Sequence, residues 1–270
     1  MDATQTEPPL TGRTILAVFA HPDDESLACG GTLARLADAG ARVVLLCASR
    51  GESGSVSDES LVATADLGHV RSGELREAAR TLGIAEVLIG DHPDGDLRWA
   101  DVPELHDEIV AAISRYQPDG VITFAEDGLY WHLDHIGVHE RTLTAVRSLG
   151  AEAPPLYYVT IPKGVMRAVV EAAGAEGAEF NEAKFWGIEP DAFGEAARPS
   201  TFVIDVRAWV SRKLAALLCH RTQMGPSHPF ARIGERQARH LLGFEHFRRA
   251  PIESQRESIL EQMGEPVPSA

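Results

Sequence analysis

Two short stretches hold the residues best suited to chemistry. Residues 19–26 read FAHPDDES, which sets His21 beside three acids, Asp23, Asp24 and Glu25. Residues 132–140 read HLDHIGVHE, which groups His132, Asp134, His135, His139 and Glu140. Imidazoles and carboxylates at such spacing are good ligands for first-row metals. A further carboxylate or imidazole beside them can carry a proton. Each stretch alone has a plainer reading. Asp23 or Asp24 could cap a helix whose positive end Glu25 also favours, and His21 could be an ordinary surface histidine. Capping, however, uses one acidic side chain rather than two adjacent ones with a histidine close by. The chain also has two such clusters, not one.

The flanking residues say what must position them. Before the first cluster, TILAVF (Thr14 to Phe19) is short, continuously apolar and rich in branched residues, like a buried strand of a parallel sheet. From Ser26 onward, LACGGTLARLADAG is an amphipathic helix pattern ending at Gly40. The acids therefore fall in a strand-to-helix turn. RVVLLCAS (residues 42–49), EVLIG (86–90) and DGVITF (119–124) repeat the strand pattern, with helix patterns across 69–82 and 103–116 between them. This alternation predicts an α/β fold: a single Rossmann-like three-layer domain of right-handed βαβ units with a mostly parallel sheet. The second cluster follows the fourth strand, so both clusters lie on the edge where such sheets bind ligands. His132 and His135, three apart at a helix start, can converge. Beyond Gly150 the pattern loosens into a C-terminal elaboration. PPLYYVTIP and STFVIDV read as strands, AWVSRKLAALLCHRTQM as a helix and residues 174–199 as helix ends and loops, while GEPVPSA reads as a frayed end.

Composition narrows the function. The 270 residues suffice for one large domain or two small ones, and the net charge is −15. That acidity excludes a duplex nucleic-acid binder, which needs a basic face. No apolar run reaches the roughly 18 residues of a membrane span, and MDATQTEPPLTGR lacks a signal-peptide core, so a cytoplasmic protein is expected. Cys29, Cys47 and Cys219 are too few and too widely spaced for a disulfide framework or a zinc ribbon, and read as buried thiols. No G-x-G-x-x-G follows the first strand; Gly30 and Gly31 lie within the helix, and three acids would repel a pyrophosphate. Walker A and G-x-S-x-G sequences are also absent.

AHPDDE together with HLDH resembles the LmbE-like (PIG-L) family of zinc-dependent N-deacetylases. That family includes deacetylases of N-acetylglucosaminyl-phosphatidylinositol and of the mycothiol and bacillithiol precursors. The resemblance defines a domain over residues 12–250, specific through the second motif and looser after it, with 1–11 and 251–270 as terminal segments. It implies Zn2+ held by His21, Asp24 and His135, with Asp23 as general base. It makes His132 the group that stabilises the oxyanion, kept cationic by Asp134. Tyr130 matches a tyrosine that assists the oxyanion in some relatives, with a packed aromatic as the alternative. Arg71 matches a sugar or phosphate anchor, with a solvated helix arginine as the alternative. Asp94, in HPDGDL, could bind substrate hydroxyls or simply shape its turn. Leu133 replaces the family's usual proline. The family does not use the position of His139, which is left as an ordinary helix histidine, and Lys213, His220 and Gln223 receive no role.

The implied activity is hydrolysis of an acyl group, most simply acetyl, from the nitrogen of an N-acetylglucosamine-type conjugate, a small molecule. The alternatives are an amidase of mycothiol-type thiol conjugates and a non-catalytic metal- or sugar-binding module, for which Asp23 would be superfluous. The aglycone is open, and a homo-oligomer is allowed.

Overall fold

The computed structural model describes residues 10–57, 59–62, 67–99, 102–174, 186–254 and 256–267. The apolar runs become the central strands. β1 (Thr14–Phe19) and β2 (Arg42–Cys47) are buried along almost their whole length, as strands with helices on both faces must be. With β3 (Glu86–Ile89), β4 (Gly120–Phe124), β5 (Leu156–Thr160), β6 (Phe202–Asp205), β7 (Phe244–Arg249) and β8 (Glu265–Pro266) they form one eight-stranded sheet. Its order is β3-β2-β1-β4-β5-β7-β6-β8. β1 to β5 pair in parallel, with Thr14 opposite Arg42 and Ile15 opposite Gly120, and the last three strands join antiparallel. The chain begins at β1, runs outward through β2 and β3, then returns to lay β4 on the other side of β1. That reversal opens a crevice between the carboxyl ends of β1 and β4, the usual ligand position of an open α/β sheet.

Helices cover both faces. α1 (Asp24–Asp38) and α2 (Leu67–Leu82) pack with α7 (Val210–Cys219) as one layer; α3 (Val102–Tyr116) and α5 (Leu133–Ser148) pack on each other and on β1 as the other. α4 (Gly128–Trp131) is a single turn, and α6 (Val165–Gly174), α8 (Pro229–Arg232), α9 (Glu235–Leu241) and α10 (Ile259–Met263) complete the chain. The three-layer, mostly parallel α/β architecture is thus as expected. Among the described residues no helix is long and apolar enough to cross a membrane, and Cys29, Cys47 and Cys219 are buried and free.

Three boundaries differ from expectation. α1 starts at Asp24, not Ser26, and breaks at Cys29 (φ −148°, ψ 27°). The late helix stops at Cys219, so His220 to Met224 form a separate turn. The C-terminal segment does not end the fold at residue 250: α10 buries Ile259 and Leu260, and β8 pairs with β6. GEPVPSA is therefore part of the sheet at Glu265 and Pro266, while residues 268–270 lie outside the described residues, as do 175–185 of the loop-rich stretch.

Candidate active site

The turn after β1 decides between capping and chemistry. Asp23 occupies the N-cap position of α1, yet its side chain makes no capping hydrogen bond among the described residues. Its backbone has φ +121°, a conformation that costs a non-glycine residue of the order of 1–3 kcal/mol and persists only where the surroundings impose it. The surroundings do so. The Asp23 N–H donates to Glu25 Oε2 at 3.1 Å, and Arg71 Nη2 donates to Asp23 Oδ2 at 3.2 Å. Burial pushes the Asp23 carboxyl up to about 7 against the pull of Arg71, with neighbouring Asp24 adding to the rise.

The turn after β4 delivers the histidines. Gly128, Leu129 and Trp131 all have positive φ, and a Cβ on Gly128 would lie 3.0 Å from that of His135, so only glycine admits this close approach. His132 is then the N-cap of α5, its Nδ1 accepting the Asp134 N–H at 3.3 Å. His135 stacks flat on Phe124 at 4.0 Å and donates from Nδ1 to the Gly128 carbonyl at 3.1 Å. Its Nε2 is fully enclosed, makes no hydrogen bond among the described residues, and faces Asp24 Oδ1 at 3.1 Å.

His21 completes the set. Its Nε2 lies 3.0 Å from both Asp94 Oδ1 and Asp134 Oδ2, while Nδ1 faces Asp24 Oδ2 at 3.4 Å. Burial alone would lower the His21 pKa, but bonds to Asp134, Asp24 and Asp94 outweigh it and hold it well above the usual value. Burial would raise Asp24, but His135 and His21 outweigh it and hold Asp24 well below the usual carboxylate range. His and Asp side chains thus face one another here at distances at which they could hold a metal ion.

Donor atoms of His21 come within 4.8 Å of one another in two groups: with His132 and His135, and with Asp94 and Asp134. In the second group the contacts to His21 are of hydrogen-bond length, so those carboxylates orient the ring from behind, as partners of a metal-bound histidine do. In the first, His132 has already committed Nδ1. His21 Nδ1 and His135 Nε2 both face the Asp24 carboxylate, at 3.4 and 3.1 Å, and two imidazole nitrogens with one carboxylate make a donor set of the kind that zinc accepts with an open position.

Asp134 is where the geometry corrects the expectation most. Its carboxylate accepts from His21 Nε2 and from the N–H groups of Gly95 (2.8 Å) and Leu97 (2.9 Å). His132 accepts the Asp134 backbone N–H at Nδ1, and burial, with His135 and His21 alongside, pushes its pKa down to about 4 against the pull of Asp24 and Asp134. The Asp134 carboxylate is thus committed to His21 and to two backbone N–H groups rather than to a hydrogen bond with His132. Arg71 is not the solvated helix arginine of its alternative reading. It is buried, and its Nη atoms donate to the carbonyls of Gly51 and Pro22 at 2.7 Å as well as to Asp23. Asp94 accepts from His21 and from the Ser53 N–H at 2.9 Å. Tyr130 packs against Phe193, with ring centroids 4.6 Å apart, and against both His132 and His135.

These groups share one cavity of about 190 Å³, lined by His21, Asp23, Asp24, Arg71, Asp94, Tyr130 and His132, with Asp134 and His135 just behind its wall. His139 bonds the Phe124 carbonyl at 2.9 Å and does not line it. The rest of the wall is Leu27, Gly54, Ser55, Trp186, Ile188 and Gln223; no sequence pattern marks Leu27, Trp186 or Ile188, and Gln223 stands out in the sequence without a role. Gln223 reaches the site by donating to the Ser55 carbonyl at 2.7 Å, a contact 168 residues apart in sequence that no local pattern encodes.

A family model described as GlcNAc-PI de-N-acetylase, PIG-L, matches residues 16–146. The chain is also 32% identical over 271 residues to a 1D-myo-inositol 2-acetamido-2-deoxy-alpha-D-glucopyranoside deacetylase of Geodermatophilus obscurus, covering 87% of this chain and 91% of that one. The chain belongs to the PIG-L family. A deacetylase with the same description from Rhodococcus jostii is 34% identical over 273 residues, covering 88% and 91% of the two chains. Among solved structures, a conserved protein of Thermus thermophilus is 28% identical with a TM-score of 0.58 over 88% of this chain and 94% of that one. The N,N'-diacetylchitobiose deacetylase of Pyrococcus horikoshii is 22% identical with a TM-score of 0.60, covering 91% and 86%; it speaks for the fold. The family's two motifs are thus the two turns that meet at the β1–β4 crevice.

Proposed function

We propose that this chain is a zinc-dependent de-N-acetylase that releases the free amine from an N-acetylglucosamine conjugate. A cyclitol-linked sugar is the first candidate, because relatives at 32% and 34% identity carry that description. The observation that carries the proposal is Asp23: a carboxylate turned away from capping, held in a strained backbone, beside a donor set that could hold a metal ion. A module that only bound metal or sugar would have no use for it.

His21 Nδ1, Asp24 and His135 Nε2 would hold the zinc. Zinc bound there would polarise the amide carbonyl and acidify a water molecule. Asp23 takes a proton from the attacking water and returns it to the departing nitrogen, so that the C–N bond breaks to give acetate and amine. His132 donates from Nε2 to the carbonyl oxygen as that oxygen gains charge, and needs no positive charge of its own to do so. Asp134 and Asp94 keep His21 in register by holding its Nε2–H. Ser55 and Gln223 offer polar groups to sugar hydroxyls, and Trp186 and Ile188 offer apolar surface to a ring face. The acidic chain suits a water-soluble conjugate in the cytoplasm better than an anionic lipid surface.

The test is amine release from a panel of N-acetylglucosamine conjugates, with inositol-linked and thiol-conjugate members. Turnover should disappear with a chelator and return with zinc. Zinc-loaded protein that binds these conjugates without releasing amine from any of them would leave a binding module as the better reading.

A further inference from the structure

The late helix and the turn after it carry two residues that the proposed reaction does not explain, Lys213 and His220. Both end in buried acid–base pairs, and both pairs reach α1. Lys213 Nζ lies 2.6 Å from Glu245 Oε1, and the Glu245 carboxylate accepts the N–H groups of Gly31 (2.9 Å) and Thr32 (2.7 Å). A helix leaves its first N–H groups without internal partners, and the break at Cys29 makes a second such beginning. Lys213 and Glu245 therefore secure the rear segment of α1.

The other pair acts on the front. His220 Nε2 donates to Glu25 Oε1 at 3.0 Å, with side-chain exposures of 0% and 1%. The same oxygen accepts from the Ser26 hydroxyl, and Oε2 accepts the N–H of Asp23. Arg71 thus grips Asp23 by its carboxylate, and Glu25 grips it by its backbone.

We propose that His220 is a positioning residue for Asp23: through Glu25 it holds the Asp23 peptide in the left-handed conformation that aims the carboxylate at the reaction site. The reasoning is local. A strained φ relaxes unless an interaction opposes it. The Glu25 carboxylate is buried, and without His220 its hydrogen-bond partners among the described residues are the Ser26 hydroxyl and the Asp23 N–H. It must then turn to find another donor, and the Asp23 N–H loses its fixed acceptor. Displacement of a catalytic group by about 1 Å is enough to cost roughly 10²-fold in rate.

This inference rests on the reading of Asp23 as the base. The experiment compares His220→Leu, His220→Gln, His220→Asn and Lys213→Met in the zinc-loaded enzyme, measuring kcat, KM, metal content and Tm. His220→Leu should lower kcat by about 10²-fold with KM within about threefold and zinc retained. His220→Gln, whose amide nitrogen can occupy the place of imidazole Nε2, should recover most of that loss, whereas His220→Asn, with a shorter reach, should not. Lys213→Met should lower Tm while leaving kcat within about threefold, since its pair does not touch Asp23. Equal losses in the Leu and Gln variants, an unchanged kcat in His220→Leu, or a comparable kcat loss in Lys213→Met would each overturn the proposal. If the wild-type enzyme releases no amine, the functional reading fails, and crystal structures still decide this one. Asp23 should leave its positive φ in His220→Leu and keep it in His220→Gln; an unchanged Asp23 in both would overturn it.

Discussion

The part of the chain before residue 150 and the part after it contribute to the site in different ways. The first holds every group proposed to react, on two turns at the ends of parallel strands. The second supplies no reacting group. It reaches in with Trp186, Ile188 and Gln223 at the pocket wall, and with Lys213, His220 and Glu245 behind α1. Chemistry comes from short-range motifs, and its alignment comes from long-range contacts. Substitutions in the two parts should therefore fail differently: the first in metal or in kcat with the fold intact, the second in stability or in positioning.

The largest effect should come from the metal donors. Asp24→Ala and His135→Ala should lose both zinc and turnover, because two ligands rarely retain zinc tightly; metal analysis of the purified variants checks this. Asp23→Asn should keep its zinc and lose about 10²–10⁴-fold in kcat, the contribution of a general base. If Asp23→Asn loses its metal while Asp24→Ala keeps it, the two aspartates have exchanged roles. His132→Ala should retain metal and cost about 10²–10³-fold in kcat through loss of an oxyanion donor. A fully active His132→Ala would move that role to Tyr130.

The part after residue 150 should answer differently. Leu260→Ala removes a fully buried side chain of α10 and should cost about 2–5 kcal/mol in denaturant unfolding, with kcat of the folded fraction unchanged. A change in kcat there would blur the division between the two parts. The smallest effect is one of pH. Burial pushes His228 down to about 4 from its ordinary 6.5, so the unfolded chain takes up this proton before the folded one does. Its contribution to stability is complete above pH 6.5 and is lost as pH falls toward 4. His228→Asn, which can still accept the Phe230 N–H that His228 Nδ1 accepts, should flatten Tm against pH across that window.

The same division explains what can be read in the sequence. β1, β2 and β4 are continuous apolar runs because both of their faces are covered, and that pattern is local. The two His/Asp clusters are visible for the same reason: their members are neighbours in the chain. β7, FEHFRR, escapes because an antiparallel strand carrying Glu245, His246 and two arginines has no apolar run to betray it. Asp134 reads as the partner of His132 because they are two residues apart, whereas the fold turns its carboxylate to His21, 113 residues away. Arg71 looks free on its helix because the carbonyls it satisfies, at Pro22 and Gly51, belong to other turns. Proximity in sequence finds ligands well and finds the partners of ligands poorly.

One close approach limits how this enzyme could be re-engineered. A Cβ on Gly31 would lie 2.6 Å from the Cβ of Val206, and 3.1 Å from Glu245 Oε1. The helix that bears the reactive acids and the strands of the later part are thus fitted to each other at one glycine. A chimera that imports the C-terminal part of a relative to acquire its specificity brings a new residue 206 and a new residue 245 to that contact. Such a graft must be matched at positions 31, 206 and 245 together, or the imported wall will not seat against the rear of α1.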